Sequence, residues 1–219
     1  MAAGEGRRLR PLTERYAKPA LPIDGRPVIA TLLRDLAAAE VSPVTVVTGH
    51  LAEQVEALLA GLEVRFARQP EALGSADAVL RAGVEPPYLV LGADTLFTPG
   101  DVGRFLEGAA GFEGAIAARR DPGPSPAHRS AVRVEAGLVS RVLDNDPANR
   151  LAGAPLWFVG EAIGHHLAGL PGPPFELAEA FRRAIDAGAR VAGIEIGPTR
   201  DLTFAVDLLL QNFPYLGTL

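Results

Sequence analysis

The sequence predicts an α/β fold, a three-layer α/β/α sandwich with a mostly parallel central sheet and a small antiparallel β insertion. Three observations carry this. Short apolar runs alternate with stretches of helical period between residues 43 and 119, the βαβαβ rhythm of a parallel sheet covered on both faces by helices. Past residue 120 that rhythm gives way to a Pro/Gly/Ser-rich loop and a hairpin. With 219 residues, 48% hydrophobic and 21% charged, the chain is long and apolar enough for a core of its own.

In order, PVTVVTG (43–49) reads as a buried strand and LAEQVEALLAG (51–61) as an amphipathic helix. VRFARQ (64–69) is a strand, SADAVLRAG (75–83) a helix with Ser75 as its cap, and PYLVLGA (87–93) a strand. PGDVGRFLEGAAG (99–111) is a helix with proline near its start, followed by the strand GAIAAR (114–119). DPGPSPAHRS (121–130) is a loop, and AVRVEAGLVSRVL (131–143) a hairpin turning at Ala136 and Gly137. Trp157 in APLWFVG packs in a strand. Helices at 160–169 and 174–188, a strand at 189–197 and a helix at 203–213 complete the chain.

Composition excludes several classes. The net charge of −5 disfavours a nucleic-acid backbone as partner, though not a small anion, which needs only a local positive patch. The absence of cysteine removes disulfides, thiol catalysis and cysteine-held zinc. No apolar stretch follows the N-terminal charges and none reaches membrane-spanning length, so a cytoplasmic location without a membrane partner is expected. Of 21 lysine and arginine residues, only Lys18 is a lysine.

In open parallel sheets ligands bind beyond the carboxyl ends of the strands. The loops there hold the chemistry-bearing residues. Gly4 and Gly6, beside Arg7, Arg8 and Arg10, allow backbone N–H groups to approach phosphates, although a flexible segment explains them equally well. Lys18 lies in a loop stiffened by Pro11, Pro19 and Pro22, where a compact ammonium fits a slot that a planar guanidinium does not. Asp94 comes immediately after one predicted strand and Asp201 just after another, positions suited to Mg²⁺ or to turns and caps. Gln69 offers a donor and an acceptor for a nucleobase edge, with Gly74 in the turn after it. His50, His128, His165 and His166 show no metal-ligand spacing.

Together these segments resemble the sugar-nucleotidyltransferase family, or nucleotide-sugar pyrophosphorylases. The family's opening L-A-A-G-x-G-x-R-L-x-P-L-T and K-P-x-x-P-I read here as MAAGEGRRLRPLT and KPALPI. QPEALGSADAV is similar to its base-reading loop, GADTLF to its metal-binding segment, and GPTRDLTFAVDLLLQN to its closing helix. The resemblance implies a Rossmann-like fold and one domain over 1–219. Within it, 1–120 form a nucleotide-binding half, 121–200 an acceptor half and 201–213 a closing helix. It implies Ala2, Ala3, Gly4, Gly6, Gln69, Gly74 and Ser75 around a nucleoside triphosphate, with UTP or dTTP favoured. Arg8 and Lys18 would be catalytic, Asp94 and Asp201 would hold Mg²⁺, and Asp144 and Gly153 would face a sugar 1-phosphate. A cytidylyl- or guanylyltransferase, or a non-catalytic nucleotide-sugar-binding regulator, stays open, and the oligomeric state is not readable.

Two departures accompany the resemblance. Met1 occupies the family's leucine position, so the strand that precedes the motif is absent, and an N-terminus continuing upstream is expected. In the acceptor half, Ser130-Ala131, Leu143-Asp144 and Leu151-Ala152-Gly153 replace the family's Y-G, E-K and N-x-G, which points to an unusual acceptor.

Overall fold

A computed structural model of the chain describes residues 1–120, 131–213 and 215. The predicted loop 121–130, with His128, lies outside the described residues. After three single-turn 3₁₀ segments come β1 (Pro22–Ile23), β2 (Arg26–Pro27), α1 (Val28–Ala38), β3 (Val44–Thr48), α2 (Ala52–Leu58) and β4 (Val64–Arg68). Then follow α3 (Ser75–Arg81), β5 (Tyr88–Leu91), β6 (Thr95–Leu96), α4 (Asp101–Ala109), β7 (Gly114–Arg120), β8 (Val132–Glu135) and β9 (Leu138–Val142). The chain closes with β10 (Leu151–Val159), α5 (Glu161–Gly164), α6 (Leu177–Asp186), β11 (Val191–Glu195), β12 (Arg200–Asp201) and α7 (Ala205–Asn212). The fold is α/β, and among the described residues no helix is long and apolar enough to cross a membrane.

Two compact units interleave along the sequence, one of Met1–Ala72, Gly92–Phe97 and Arg200–Leu219, the other of Leu73–Leu91 and Thr98–Thr199. In the first, β3 and β4 pair in parallel from Val44↔Val64 to Thr48↔Arg68, with α2 as their crossover. Ala2 continues this pairing through a parallel bridge to Thr48 and an N–H···O bond of 2.8 Å to Val47. The β1–β2 hairpin turns at Asp24 and Gly25, both in the left-handed region that such two-residue turns require. α1, to which no helix is assigned from the sequence, buries Val28, Ile29, Leu32 and Leu36. Its N-cap position is Pro27 with no side-chain cap, so the polar start signal is missing and packing alone marks the helix.

The second unit carries a six-stranded mixed sheet in the order β5-β10-β7-β11-β9-β8. β7 and β11 are parallel, while the long β10 runs antiparallel between β5 and β7. Its register against β7 slips between Gly153 and Trp157, around Pro155, whose missing N–H cannot continue the ladder. The β8–β9 hairpin turns at Ala136 and Gly137, as expected, and joins the sheet through Leu138 opposite Ala192. The predicted helices 160–169 and 174–188 shorten to α5 and α6. Ser75 is not the cap of α3. Gly74 occupies that position, and the Ser75 hydroxyl accepts the first helical N–H of α6, from Leu177, at 2.8 Å.

Phe105, Phe181, Ile116, Leu156 and Ile163 form the fully buried centre of this unit. Packing there is tight enough that a Cβ on Gly114 would lie 2.8 Å from Ile163 and 3.1 Å from Phe181. Phe181→Ala is therefore expected to cost about 3–5 kcal/mol, measured as a lowered urea midpoint at unchanged slope.

Candidate functional site

The N-terminal motif becomes a loop pinned from several sides within the first unit. Ala2 and Ala3 are buried, and the His50 N–H donates to the Ala3 carbonyl at 3.3 Å. The His50 ring meets the Thr13 carbonyl at 2.6 Å, and the buried Thr13 hydroxyl donates to the Gly6 carbonyl at 2.9 Å. Gly6 is in the left-handed region, and a Cβ there would strike the Thr13 methyl at 2.8 Å. Gly4, by contrast, has open space at its Cβ position, leaving its backbone approachable.

Lys18 follows from the same construction. Gln54 of α2 accepts the Ala17 N–H at 2.8 Å and donates to the Arg15 carbonyl at 2.7 Å, which fixes the backbone just before it. The Lys18 stem then runs along Gly6, and its ammonium forms an ion pair with the Asp94 carboxylate. Asp94 is tied to the N-terminus in turn, because the Ala93 N–H donates to the Met1 carbonyl at 2.9 Å. On its other side β12 pairs with β6, with Asp201 opposite Thr95, and the Leu202 N–H donates to the Asp94 carbonyl at 3.4 Å. Leu202 is fully buried and anchors this strand. At the start of α7, Asp207 accepts the N–H groups of Thr203 and Phe204 at 2.8 and 2.7 Å.

Among the described residues no group of three or more histidines and carboxylates gathers as a metal site. Asp94, in the turn leading into β6, and Asp201, on the paired β12, nevertheless suit Mg²⁺, which is commonly held by one or two carboxylates together with substrate phosphates. Arg8 is exposed and makes no side-chain hydrogen bond or ion pair among the described residues. Its neighbours Arg7 and Arg10 meet Glu5 at 2.8 and 3.4 Å. Hydrogen bonding from Arg7 holds the Glu5 carboxyl below its ordinary value.

Gln69 also belongs to this cluster. It is buried, its N–H donates to Thr48 at 2.7 Å, and its carbonyl faces Gly49. Gly49, with His50, Thr13 and Gln54, is what sequence reasoning passed over as site architecture. A Cβ on Gly49 would lie 2.7 Å from the Gln69 carbonyl and 2.8 Å from Ala3, so the absence of a side chain lets the two loops meet. A glycine closing a predicted strand was the available signal.

Gly74, Ser75, Asp144 and Gly153 lie in the second unit, where each has structural work. Gly74 has φ +113° and lies against Phe175, whose carbonyl a Cβ would meet at 2.4 Å. The Ser75 hydroxyl also donates to Glu176 at 2.7 Å. Gly153 sits at the register slip of β10. Asp144 is 4% exposed and engages Arg133 at 2.9 Å and the Asn149 amide at 2.8 Å. Burial alone would raise its carboxyl, but bonds from Asn149 and the Asp146 N–H, with Arg133 beside it, hold it below the usual carboxylate value.

The glycine–arginine loop, the lysine–aspartate pair and the second aspartate at the end of β12 thus lie together in the first unit of an α/β scaffold. The chain belongs to the family described as the MobA-like NTP transferase domain, whose profile matches residues 1–190. It is 35% identical over 161 residues to the bifunctional protein GlmU of Acidovorax ebreus, covering 68% of this chain and 33% of that protein. GlmU of Burkholderia ambifaria is 34% identical over 155 residues. The match thus spans about a third of the length of these curated relatives. Among solved structures, a putative glucose-1-phosphate thymidylyltransferase from Bacillus anthracis superimposes with TM-score 0.83 over 96% of this chain and 91% of that one. The inositol-1-phosphate CTP transferase from T. maritima gives 0.81 over 94% and 88%. Both are 18% identical and show the shared fold.

Gly49→Ala is expected to destabilise the chain by about 1–3 kcal/mol, read by urea denaturation, because backbone and not a flexible side chain lies in the way. A second prediction concerns pH. The folded Asp144 value lies below the unfolded one, so its stabilisation is complete above about pH 4 and fades as pH falls through the folded value. Asp144→Asn should lower stability at neutral pH and show a shallower loss between about pH 5 and 2 in urea melts.

Proposed function

We propose that the chain is a cytoplasmic nucleotidyltransferase that joins a nucleoside triphosphate to a sugar 1-phosphate and releases pyrophosphate. The observation that carries this reading is the ammonium of the sole lysine, held on the Asp94 carboxylate beside Gly6. Two anions must approach each other in this reaction, so positioning and charge neutralisation are the main tasks.

The backbone N–H groups from Ala3 to Gly6 receive the phosphates, with Ala2 fixing the loop through its own N–H bond to Val47, and the free guanidinium of Arg8 takes the β- and γ-phosphates. Lys18 meets the incoming sugar phosphate as a point charge. A sugar-phosphate oxygen forms its bond to the α-phosphorus in line as the bond to the pyrophosphate oxygen breaks, and the electron pair leaves with pyrophosphate. Asp94 and Asp201 would hold Mg²⁺, which would supply further neutralisation of phosphate charge. Gln69 reads the base edge, with UTP or dTTP favoured, and Gly74 and Ser75 shape the turn that follows it. Asp144 and Gly153 support the acceptor half through the hairpin and β10.

A second reading, transfer of a cytidylyl group to a phosphorylated alcohol, has support from the T. maritima neighbour and from the commitment of Asp144 to its own arginine and asparagine. Pyrophosphate release measured with Mg²⁺ across UTP, dTTP, CTP, GTP and ATP, crossed with sugar 1-phosphates and inositol 1-phosphate, separates the two. Silence of the whole panel with nucleotide still bound would sink both in favour of a non-catalytic binding protein. Lys18→Arg should lower turnover by about 100-fold or more with an unchanged urea midpoint. Asp94→Asn should abolish the Mg²⁺ dependence of nucleotide affinity in titration calorimetry.

A further inference from the structure

α7 is attached to its unit by polar groups and not by an apolar face. None of its residues is buried. The Asn212 amide donates to the Pro22 carbonyl at 2.8 Å, and its oxygen accepts the Gly25 N–H at 2.8 Å. Arg200, paired with Asp24, donates to the Gln211 side chain at 2.6 Å and to its carbonyl at 3.0 Å. Asp207 closes the first turn.

The apolar residues of this helix stand in solvent. Val206, Leu209, Leu210 and Phe213 recur at i, i+3, i+4 and i+7, the stripe that a helix ordinarily buries, and are 52%, 51%, 40% and 46% exposed. Phe204 and Tyr215 are exposed as well, the latter in edge contact with Phe213. The four stripe residues and Tyr215 present roughly 500 Å² of apolar surface, within the range of the largest patch that a monomer carries. That is of the order of the ~800 Å² that each partner contributes to a stable dimer.

The chemistry of the face selects its occupant. Between Leu202 and Phe213 the only charged side chain is Asp207, which is turned onto the backbone. An uncharged stripe meets its own copy without repulsion, and a two-fold axis makes one patch complementary to itself. A helix made for an anionic lipid surface would carry lysine or arginine on its polar face, and α7 has neither. We propose that α7 packs against α7 of a second copy of this chain, forming a two-fold homodimer with Leu209 and Leu210 at its centre. This inference is independent of the reaction assigned above.

Sedimentation velocity of the 219-residue chain at about 10 and about 100 µM is expected to give a species of twice the 22.9 kDa chain mass. The double variant Leu209→Glu/Phe213→Glu, which sets like charges face to face, should sediment as a monomer with an unchanged circular-dichroism spectrum. Because the chain has no cysteine, Leu209→Cys should cross-link to a dimer on mild oxidation, whereas Glu107→Cys on α4 should not. The cysteine pair decides the matter should the charged variant fail to fold. A monomeric wild type at the higher concentration, a dimer surviving the two glutamates, or equal cross-linking at both cysteines would overturn the proposal. So would a monomer that binds phosphatidylserine vesicles through this face.

Discussion

The Lys18 ammonium reaches the Asp94 carboxylate along a path that runs past Gly6, where no side chain stands in the way. That one ion pair ties the glycine loop and the proline-stiffened segment directly after it to a stretch far along the sequence, the turn at Gly92–Phe97. Its worth lies in geometry more than in stability. The lysine side chain is 17% exposed and the aspartate 38%, so the pair is part-buried, and the cost of removing both charges from water offsets much of their attraction. What it does is hold a positive point charge and a carboxylate at a defined place beside an approachable backbone loop.

Close approach of backbone is the recurring device around that pair. Gly49 lets the Gln69 carbonyl and Ala3 come together, and Gly6 lets Thr13 and Lys18 fold over the loop. The polar side chains nearby are spent on backbone groups, with Thr13, His50 and Gln54 each satisfying a carbonyl or N–H that a tight loop would otherwise leave without a partner. The second unit uses the same logic for a different end. Ser75, Asp144 and Gly74, all suggestive as ligand groups, are engaged by α6, by Arg133 and Asn149, and by Phe175.

Much of the fold was legible because its strands and helices carry their own periodicity. The βαβ unit of β3, α2 and β4 and the hairpin at Ala136–Gly137 lie where the apolar rhythm and turn residues indicate. α1 was not legible, since it lacks a polar cap and only its burial of Val28, Ile29, Leu32 and Leu36 declares it. The boundary expected near residue 120 was a change of composition, whereas the units interleave because residues 92–97 and the segment from Arg200 return to the first one. Of the candidate site, the glycine loop, Lys18, Asp94, Asp201 and Gln69 share the first unit, and the acceptor-half residues do not.

The amino-acid sequence alone determined the α/β class, the family and the residue types of the phosphate-facing loop. These depend on local periodicity and on a contiguous motif, and both are properties of neighbouring residues. Tertiary structure alone decided that Lys18 meets Asp94, that β10 runs antiparallel between β5 and β7, and that Asp144 serves a buried polar network. It also left the apolar stripe of α7 in solvent. Each of these is a contact, or the lack of one, between segments distant along the chain. Burial and hydrogen-bond satisfaction between such segments settle it, and no single stretch of sequence holds both partners.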